Sequence, residues 1–223
     1  MKALDQRIAS LAHSGALAST VLVLPRRGHI YNCGDSGESL FLIERGLVKT
    51  TRHTTAGRSC LLRVHGPGEM FGECAFSRAL RTDTAIAMCT TAVRRIPVAA
   101  FLAVLGDHDL LGDYVCRLAE RIAEQQDVIT DFATLPSENR LAATLLLLGR
   151  TIGVRMPGAG GVRLAGRINY QELADMVGTT RSRIGRFVQR FSAEDCVRLD
   201  KGILVLLNTD ELAVRARHSL PPA

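Results

Sequence analysis

The sequence predicts an α+β chain: an antiparallel barrel or sandwich of short strands, then a long helix, then a helix-turn-helix with a trailing hairpin. Three observations carry this. Glycines at 28, 34, 37, 46, 57, 66, 68 and 72 punctuate apolar runs such as SLFLIE and SCLLRV, the pattern of short strands joined by turns. From Leu111 to Phe132 a stripe recurs at alternating spacings of 4 and 3, apolar except at Gln125. From Asn169 to Phe191 two helical faces flank a single glycine.

Composition bounds the function classes. The chain has 223 residues and a formal charge of +6, with no tryptophan. Residues 1–136 carry 15 Lys/Arg against 14 Asp/Glu, and residues 137–223 carry 13 against 8. The C-terminal part is therefore the basic one, as a polyanion partner would require. No apolar run approaches the roughly 18 residues of a membrane span, and the start, MKALDQRIASLAHSG, does not read as a secretory signal. A cytoplasmic protein with no membrane partner is expected. The cysteines at 33, 60, 74, 89, 116 and 196 form no C-x2-C pair. Buried free thiols, and no metal, are expected from them. No nucleophile–base pair, metal cluster or P-loop suggests an enzyme.

The elements follow in chain order. The strand region runs from about 20 to 97, and Pro97 opens a helical piece, PVAAFLAVLG. Next, Leu111, Val115, Leu118, Ile122, Gln125 and Ile129, continued by Phe132, form a narrow stripe suited to a helix–helix seam. This favours a parallel homodimer, with Gln125 as a polar position that fixes register. Pro136 and Ser137 break that helix, and Ser137 can cap the next one, whose apolar face runs through Leu147. GVRMPGAGG reads as an irregular loop. The domain boundaries are set at 1–106, 107–135 and 136–223.

The segment NYQELADMVGTTRSRIGRFVQRF is the most informative. Asn169 and Glu172 form a capping-box pattern. Leu173, Met176 and Val177 make one inner face. Gly178 supplies the turn, and Thr179 or Thr180 caps a second helix with inner residues Ile184, Phe187, Val188 and Phe191. Ala174 is small where the two helices would cross. The outer side of the second helix presents Arg181, Ser182, Arg183, Arg186, Gln189 and Arg190. An arginine there can pair with guanine in the major groove, worth roughly 1–3 kcal/mol of discrimination. CVRL and ILVLL, joined through Asp200-Lys201-Gly202, read as a hairpin wing whose Lys201 can touch phosphate.

Taken together, GDSGESLFLIERGLVK (34–49), GPGEMFGEC (66–74), the heptad helix and GTTRSRIGRFVQRF resemble the Crp–Fnr superfamily of transcription regulators across nearly the whole chain. The resemblance implies an N-terminal effector β-roll (a double-stranded β-helix), a dimerisation helix and a C-terminal winged helix-turn-helix. It also implies a homodimer on double-stranded DNA reading a near-palindromic site in grooves about 34 Å apart, and RNA polymerase as a partner. The positions implied for DNA contact are Thr180, Arg181, Ser182, Arg183, Arg186 and Lys201. Arg181, Ser182 and Arg186 fall on the base-reading trio and Arg183 on phosphate. Ser182 stands where glutamate is common, which implies a half-site related to TGTGA but altered or relaxed there.

The effector pocket implied by the same resemblance comprises Gly72, Glu73, Cys74, Ala75, Arg81, Thr82, Asp83 and Thr84. In cyclic-AMP-binding members a glutamate holds the ribose, and an arginine ten residues later neutralises the phosphate. Glu73 matches the first, but Asp83 stands at the second, before Thr84-Ala85. A carboxylate repels a cyclic phosphate where arginine would pair with it. Arg81, two residues earlier, would share a strand face with Asp83 and could reach the pocket or neutralise that carboxylate. Thr130 lies near the positions of the family's adenine contacts. A cyclic nucleotide is thus a candidate effector and ordinary cyclic-AMP dependence is not expected. The alternative reading is a ligand-binding β-roll that acts through a protein partner.

Overall fold

The computed structural model of the protein describes residues 2–54, 57, 59–77, 79–156 and 160–216. The chain divides into two units, residues 1–58 with 62–126, and residues 59–61 with 127–223. The change of unit falls inside the long helix, earlier than the break at Pro136 that the sequence marks.

The first unit opens with helix α1 (Lys2–His13), which sequence inspection did not single out. Leu4, Ile8 and Ala12 recur at helical spacing and are buried. Eight strands follow: β1 (Thr20–Leu24), β2 (His29–Tyr31), β3 (Ser39–Arg45), β4 (Val48–His53), β5 (Ser59–His65), β6 (Met70–Phe71), β7 (Thr84–Ala87) and β8 (Thr91–Pro97). They form two four-stranded sheets, ordered β1-β8-β3-β6 and β2-β7-β4-β5. Their recorded pairings are antiparallel. This is the β-roll.

Strand β3 explains why SLFLIE lacks polar alternation. Successive side chains point to opposite faces, and here both faces are covered. Leu40 and Leu42 join Ile8, Leu17, Met70, Ile96, Phe101 and Leu105 in one core. Phe41 and Ile43 join Tyr31, Val48, Phe71 and Val93 in another. Helix α2 (Val98–Asp107) starts directly after Pro97, as expected, and buries Phe101, Val104 and Leu105. Helix α3 (Leu111–Thr134) follows.

The second unit contains α4 (Ser137–Ile152), β9 (Gly153–Arg155), β10 (Val162–Leu164), α5 (Tyr170–Val177), α6 (Arg181–Ala193), β11 (Val197–Asp200), β12 (Ile203–Leu206) and α7 (Thr209–Ala216). Its sheet is ordered β11-β12-β10-β9. Two expectations are corrected. Ser137 is the first residue of α4 rather than its cap; Pro136 holds the cap position and no side-chain cap bond forms. Nor is GVR loop: Gly153–Arg155 pairs antiparallel with Val162–Leu164. A Cβ on Gly153 would come within 2.3 Å of Val162 Cγ1 and 2.1 Å of the Gly149 carbonyl. Glycine content here permits a close-packed strand rather than preventing one. Residues 157–159 of that loop lie outside the described residues.

The cysteine expectation is also corrected. All six are free, but only Cys196 is buried, while Cys33, Cys89 and Cys116 are exposed. Among the described residues no group of His, Cys, Asp or Glu is arranged to hold a metal. Among the same residues no helix is long and apolar enough to cross a membrane.

Asp5 on α1 is 8% exposed and pairs with Arg117 of α3. Burial outweighs the arginine and lifts its carboxyl from 3.8 to about 6. The folded state therefore binds this proton more tightly than the unfolded chain. The resulting stabilisation is complete below about pH 4 and is lost as the pH rises through about 6. Asp5→Asn should remove this component, on the order of 3 kcal/mol, and flatten stability across that window in denaturant titrations. An unchanged pH profile would contradict the assignment.

Candidate nucleic-acid interface and effector pocket

The helix-turn-helix is built by local rules that the structure realises one by one. The Asn169 side chain accepts from the amides of Gln171 (2.9 Å) and Glu172 (3.0 Å), and the Glu172 carboxylate accepts from the Asn169 amide at 3.0 Å. That closes the capping box. Helix α5 buries Leu173, Ala174 and Val177, with Met176 half-buried. Gly178 ends it at φ 68°, its amide donating to the Ala174 carbonyl at 2.9 Å. A Cβ there would stand 2.6 Å from the Phe132 ring. Glycine is thus demanded twice, by backbone sign and by space. Of the two candidate threonines, Thr180 is the cap: its hydroxyl accepts from the Arg183 amide at 3.3 Å.

Helix α6 buries Ile184, Val188 and Phe191 and half-buries Phe187. Arg181, Ser182, Arg183, Arg186, Gln189 and Arg190 are all exposed on its other side. Arg190 bonds Glu138 of α4 at 2.8 Å. Behind the motif, Arg140 donates to the Val177 carbonyl (2.9 Å) and the Leu135 carbonyl (2.8 Å), and lies 4.9 Å over the Phe132 ring.

The wing is the β11–β12 hairpin, in register Asp200↔Ile203. Its two-residue loop has φ 50° at Lys201 and φ 79° at Gly202. Positive φ at both positions is the type I′ geometry that matches strand twist. Lys201 is exposed at the tip, and Arg163 of β10 braces the hairpin through Asp200 at 2.6 Å.

The cassette begins at Gly72, φ 91°, leading into a 3₁₀ turn at Glu73–Phe76 that includes Cys74 and Ala75. Arg81 does not pair with Asp83. It is 3% exposed and donates to the Gly72 carbonyl at 2.9 Å and to the Ser39 carbonyl. Its guanidinium lies 4.3 Å over the Tyr31 ring and 3.7 Å from Cys74 Sγ. The strand argument fails because Arg81 precedes β7, in a segment stitched to the turn before β3 by Arg81–Asp35 and Gly34–Arg81 backbone bonds.

Asp83 accepts instead from the Tyr31 hydroxyl at 3.2 Å. Burial holds its carboxyl above the ordinary carboxylate value despite Tyr31, Arg52 and Arg81 nearby. Arg52 of β4, unforeseen in the sequence, donates to the Thr82 carbonyl and hydroxyl, both at 3.0 Å. The Thr84 hydroxyl accepts from the Cys33 amide at 3.1 Å. Glu73 is taken by Arg121 of α3. No local pattern flags Arg52, Tyr31 or Arg121, because each meets a partner 30 to 52 positions away along the chain.

Along α3, Leu111, Val115, Ile122 and Ile129 are each more than half exposed, and Phe132 is 43% exposed. Gln125 is exposed in line with them. Leu118 departs from the stripe, packing partly against the core of its own β-roll.

A β-roll with a 3₁₀ cassette and a capped helix-turn-helix with a type I′ wing together define a DNA-binding regulator with an effector-type domain. Residues 21–108 match the cyclic nucleotide-binding domain model, and residues 139–215 the Crp-like helix-turn-helix domain model. The chain is 28% identical over 194 residues to a CRP-like cAMP-activated global transcriptional regulator of Mycobacterium tuberculosis, covering 86% of each chain. It is 28% identical over 180 residues to the cyclic AMP receptor protein of Thermus thermophilus, covering 80% of this chain and 79% of that one. A CRP-family transcriptional regulator from Thermus thermophilus superposes with TM-score 0.72 at 25% identity, covering 91% of this chain and all of the other. FixK2 from Bradyrhizobium japonicum shares the fold at TM-score 0.79 and 20% identity, covering 92% of this chain and all of that one. The chain belongs to the Crp–Fnr superfamily of transcription regulators.

Thr180→Ala removes the α6 cap and should cost about 1 kcal/mol. Thermal melting that matched the wild type would show that the capping bond contributes nothing.

Proposed function

We propose that the protein acts as a homodimer on a near-palindromic DNA site, each subunit reading one half through α6. The single observation that carries this is the outer face of α6. Arg181, Ser182, Arg183 and Arg186 are exposed together on a helix whose cap and inner face fix its orientation. Arg181, Ser182 and Arg186 meet base edges, and Arg183 and Lys201 meet phosphate. Thr180 sets the start of the helix. The exposed stripe Leu111, Val115, Ile122, Gln125, Ile129 supports the seam with a second copy, with Leu118 split between seam and core. Contact with RNA polymerase follows from the family's role.

Selection from random duplexes should yield a two-fold symmetric site with a TGTGA-related half. Arg186→Ala should lose discrimination at one base pair, worth roughly 1–3 kcal/mol, whereas Lys201→Ala should weaken all duplexes alike. Equal losses from both would overturn the assignment of roles. Ile122→Glu should convert a dimer to a monomer in light scattering at micromolar concentration.

The cassette supports control by something other than ordinary cyclic AMP. Asp83 brings a half-buried negative charge to the cassette, and the donors of Arg81 are taken by the Gly72 and Ser39 carbonyls. Calorimetric titration of the wild type should show no submicromolar cyclic-AMP binding. Asp83→Arg should raise cyclic-AMP affinity roughly tenfold or more by exchanging repulsion for a charge-assisted pair. Tight binding by the wild type would refute this.

A further inference from the structure

The cassette turn offers two polar handles, and the chain takes both. The Gly72 carbonyl accepts from Arg81 at 2.9 Å, and the Glu73 carboxylate is held by Arg121 of α3. We propose that Arg81 is a built-in ligand of the cassette. It holds the turn on the β-roll with no small molecule bound, so that DNA binding requires no added effector. The inference rests on the DNA-binding reading above and names, in place of cyclic AMP, a side chain of the same chain.

Reach is the first argument. Arg81 Nη1 donates to Gly72 at the start of the 3₁₀ turn, and Nη2 donates to the Ser39 carbonyl at the start of β3. The guanidinium lies 4.3 Å over the Tyr31 ring of β2 and 5.5 Å over the Phe41 ring of β3. On the backbone, the Arg81 amide donates to the Asp35 carbonyl at 2.8 Å, and the Gly34 amide donates to the Arg81 carbonyl at 2.9 Å. One residue thus pins both the turn and the segment before β7 to β2, β3 and the chain between them.

Fit is the second. Gly72 holds φ 91°, and a Cβ on it would stand 2.9 Å from Arg81 Nη1. The glycine that starts the turn also leaves the space that the guanidinium fills. Behind the guanidinium the interior is closed by rings. The centroids of Tyr31, Phe41 and Phe71 lie 5.3 to 6.2 Å apart, and Phe71 meets His65 at 5.3 Å. Arg81 ends that stack as a cation on aromatic faces.

The third argument is permanence. A diffusible ligand shifts a cassette between states only by its difference in affinity for them. A side chain of the same chain is present at every ligand concentration. Arg81 is 3% exposed, so opening the turn would take the Gly72 carbonyl from a cation that water does not reach. The turn is tied in its closed arrangement to α3 through Glu73 and Arg121, and α3 continues from the first unit into the second.

The test starts from the purified full chain with no additive. Mass spectrometry of its denatured extract should find no stoichiometric small molecule. The protein should bind the selected duplex fully, with millimolar cyclic AMP or cyclic GMP changing Kd by less than about twofold. Arg81→Ala should speed amide exchange at 72–76 and weaken the selected duplex by roughly tenfold, because fewer molecules hold a competent cassette. Guanidinium chloride at low millimolar concentration should restore much of that loss, and sodium chloride at equal ionic strength should not. Arg81→Lys, which keeps the charge without the fork, should fall between them and serves where the alanine variant melts early. Tight binding that appears only with an added nucleotide would overturn the proposal, as would a stoichiometric bound molecule. So would wild-type exchange at 72–76 in the alanine variant, or no rescue by guanidinium. If the wild type selects no duplex, the reading of α6 fails, while amide exchange with and without guanidinium still decides the role of Arg81.

Discussion

Three arginines fasten the first half of α3 to the β-roll, and the orientation of that helix depends on them. Arg117 pairs with Asp5, Arg121 pairs with Glu73, and both donate to the Met70 carbonyl. Arg63 of β5 reaches back to Glu124 at 2.8 Å and to Glu69 at 3.3 Å. Breaking a buried pair typically costs about 3–5 kcal/mol, because it strands a charge, so these contacts fix which face of α3 meets the roll. At about 100° per residue, the apolar stripe lies roughly a quarter to a third of a turn from the arginines. It is left outward because they are held inward. Burial, with the same three cations beside it, keeps His65 neutral, its ordinary value pushed well down.

The effector cassette shows a different balance. Arg81 is a buried cation satisfied by two carbonyls and two aromatic faces rather than by a carboxylate. Its Nε has no partner. Tyr31 links the two unusual residues, receiving Arg81 on its ring and giving its hydroxyl to Asp83. A cation on the ring face strengthens the phenol as a donor. The Asp83 carboxylate is therefore held by a hydrogen bond, with Arg52 and Arg81 as the nearby cations.

How much was legible in the sequence follows from how far each device reaches along the chain. The capping box at Asn169 and Glu172, the Gly178 turn, the Thr180 cap and the Lys201-Gly202 loop span two to four residues each, and all are readable from residue type. The heptad stripe is readable because its period is helical. Ser137 misled because a proline already held the cap position, and Gly153 because a glycine forced by close packing looks the same as one in a loop. The pairs Tyr31–Asp83, Arg52–Thr82 and Arg121–Glu73 join residues 30 to 52 positions apart. Only the β-roll topology brings them together. The family resemblance named Glu73 and Asp83 as noteworthy without naming what they touch.

The corner at Pro136 carries a mechanical consequence. Arg140 binds Leu135 on one side and Val177 on the other, while Phe132 fills the space that Gly178 leaves open. The last turns of α3, the start of α4 and the turn of the DNA-reading motif are thus bolted into a single block. What reads as a linker in sequence is a keystone in space. Lengthening the chain at 134–137, ordinarily the least costly place to extend a protein, would here pull the reading helix off its mount.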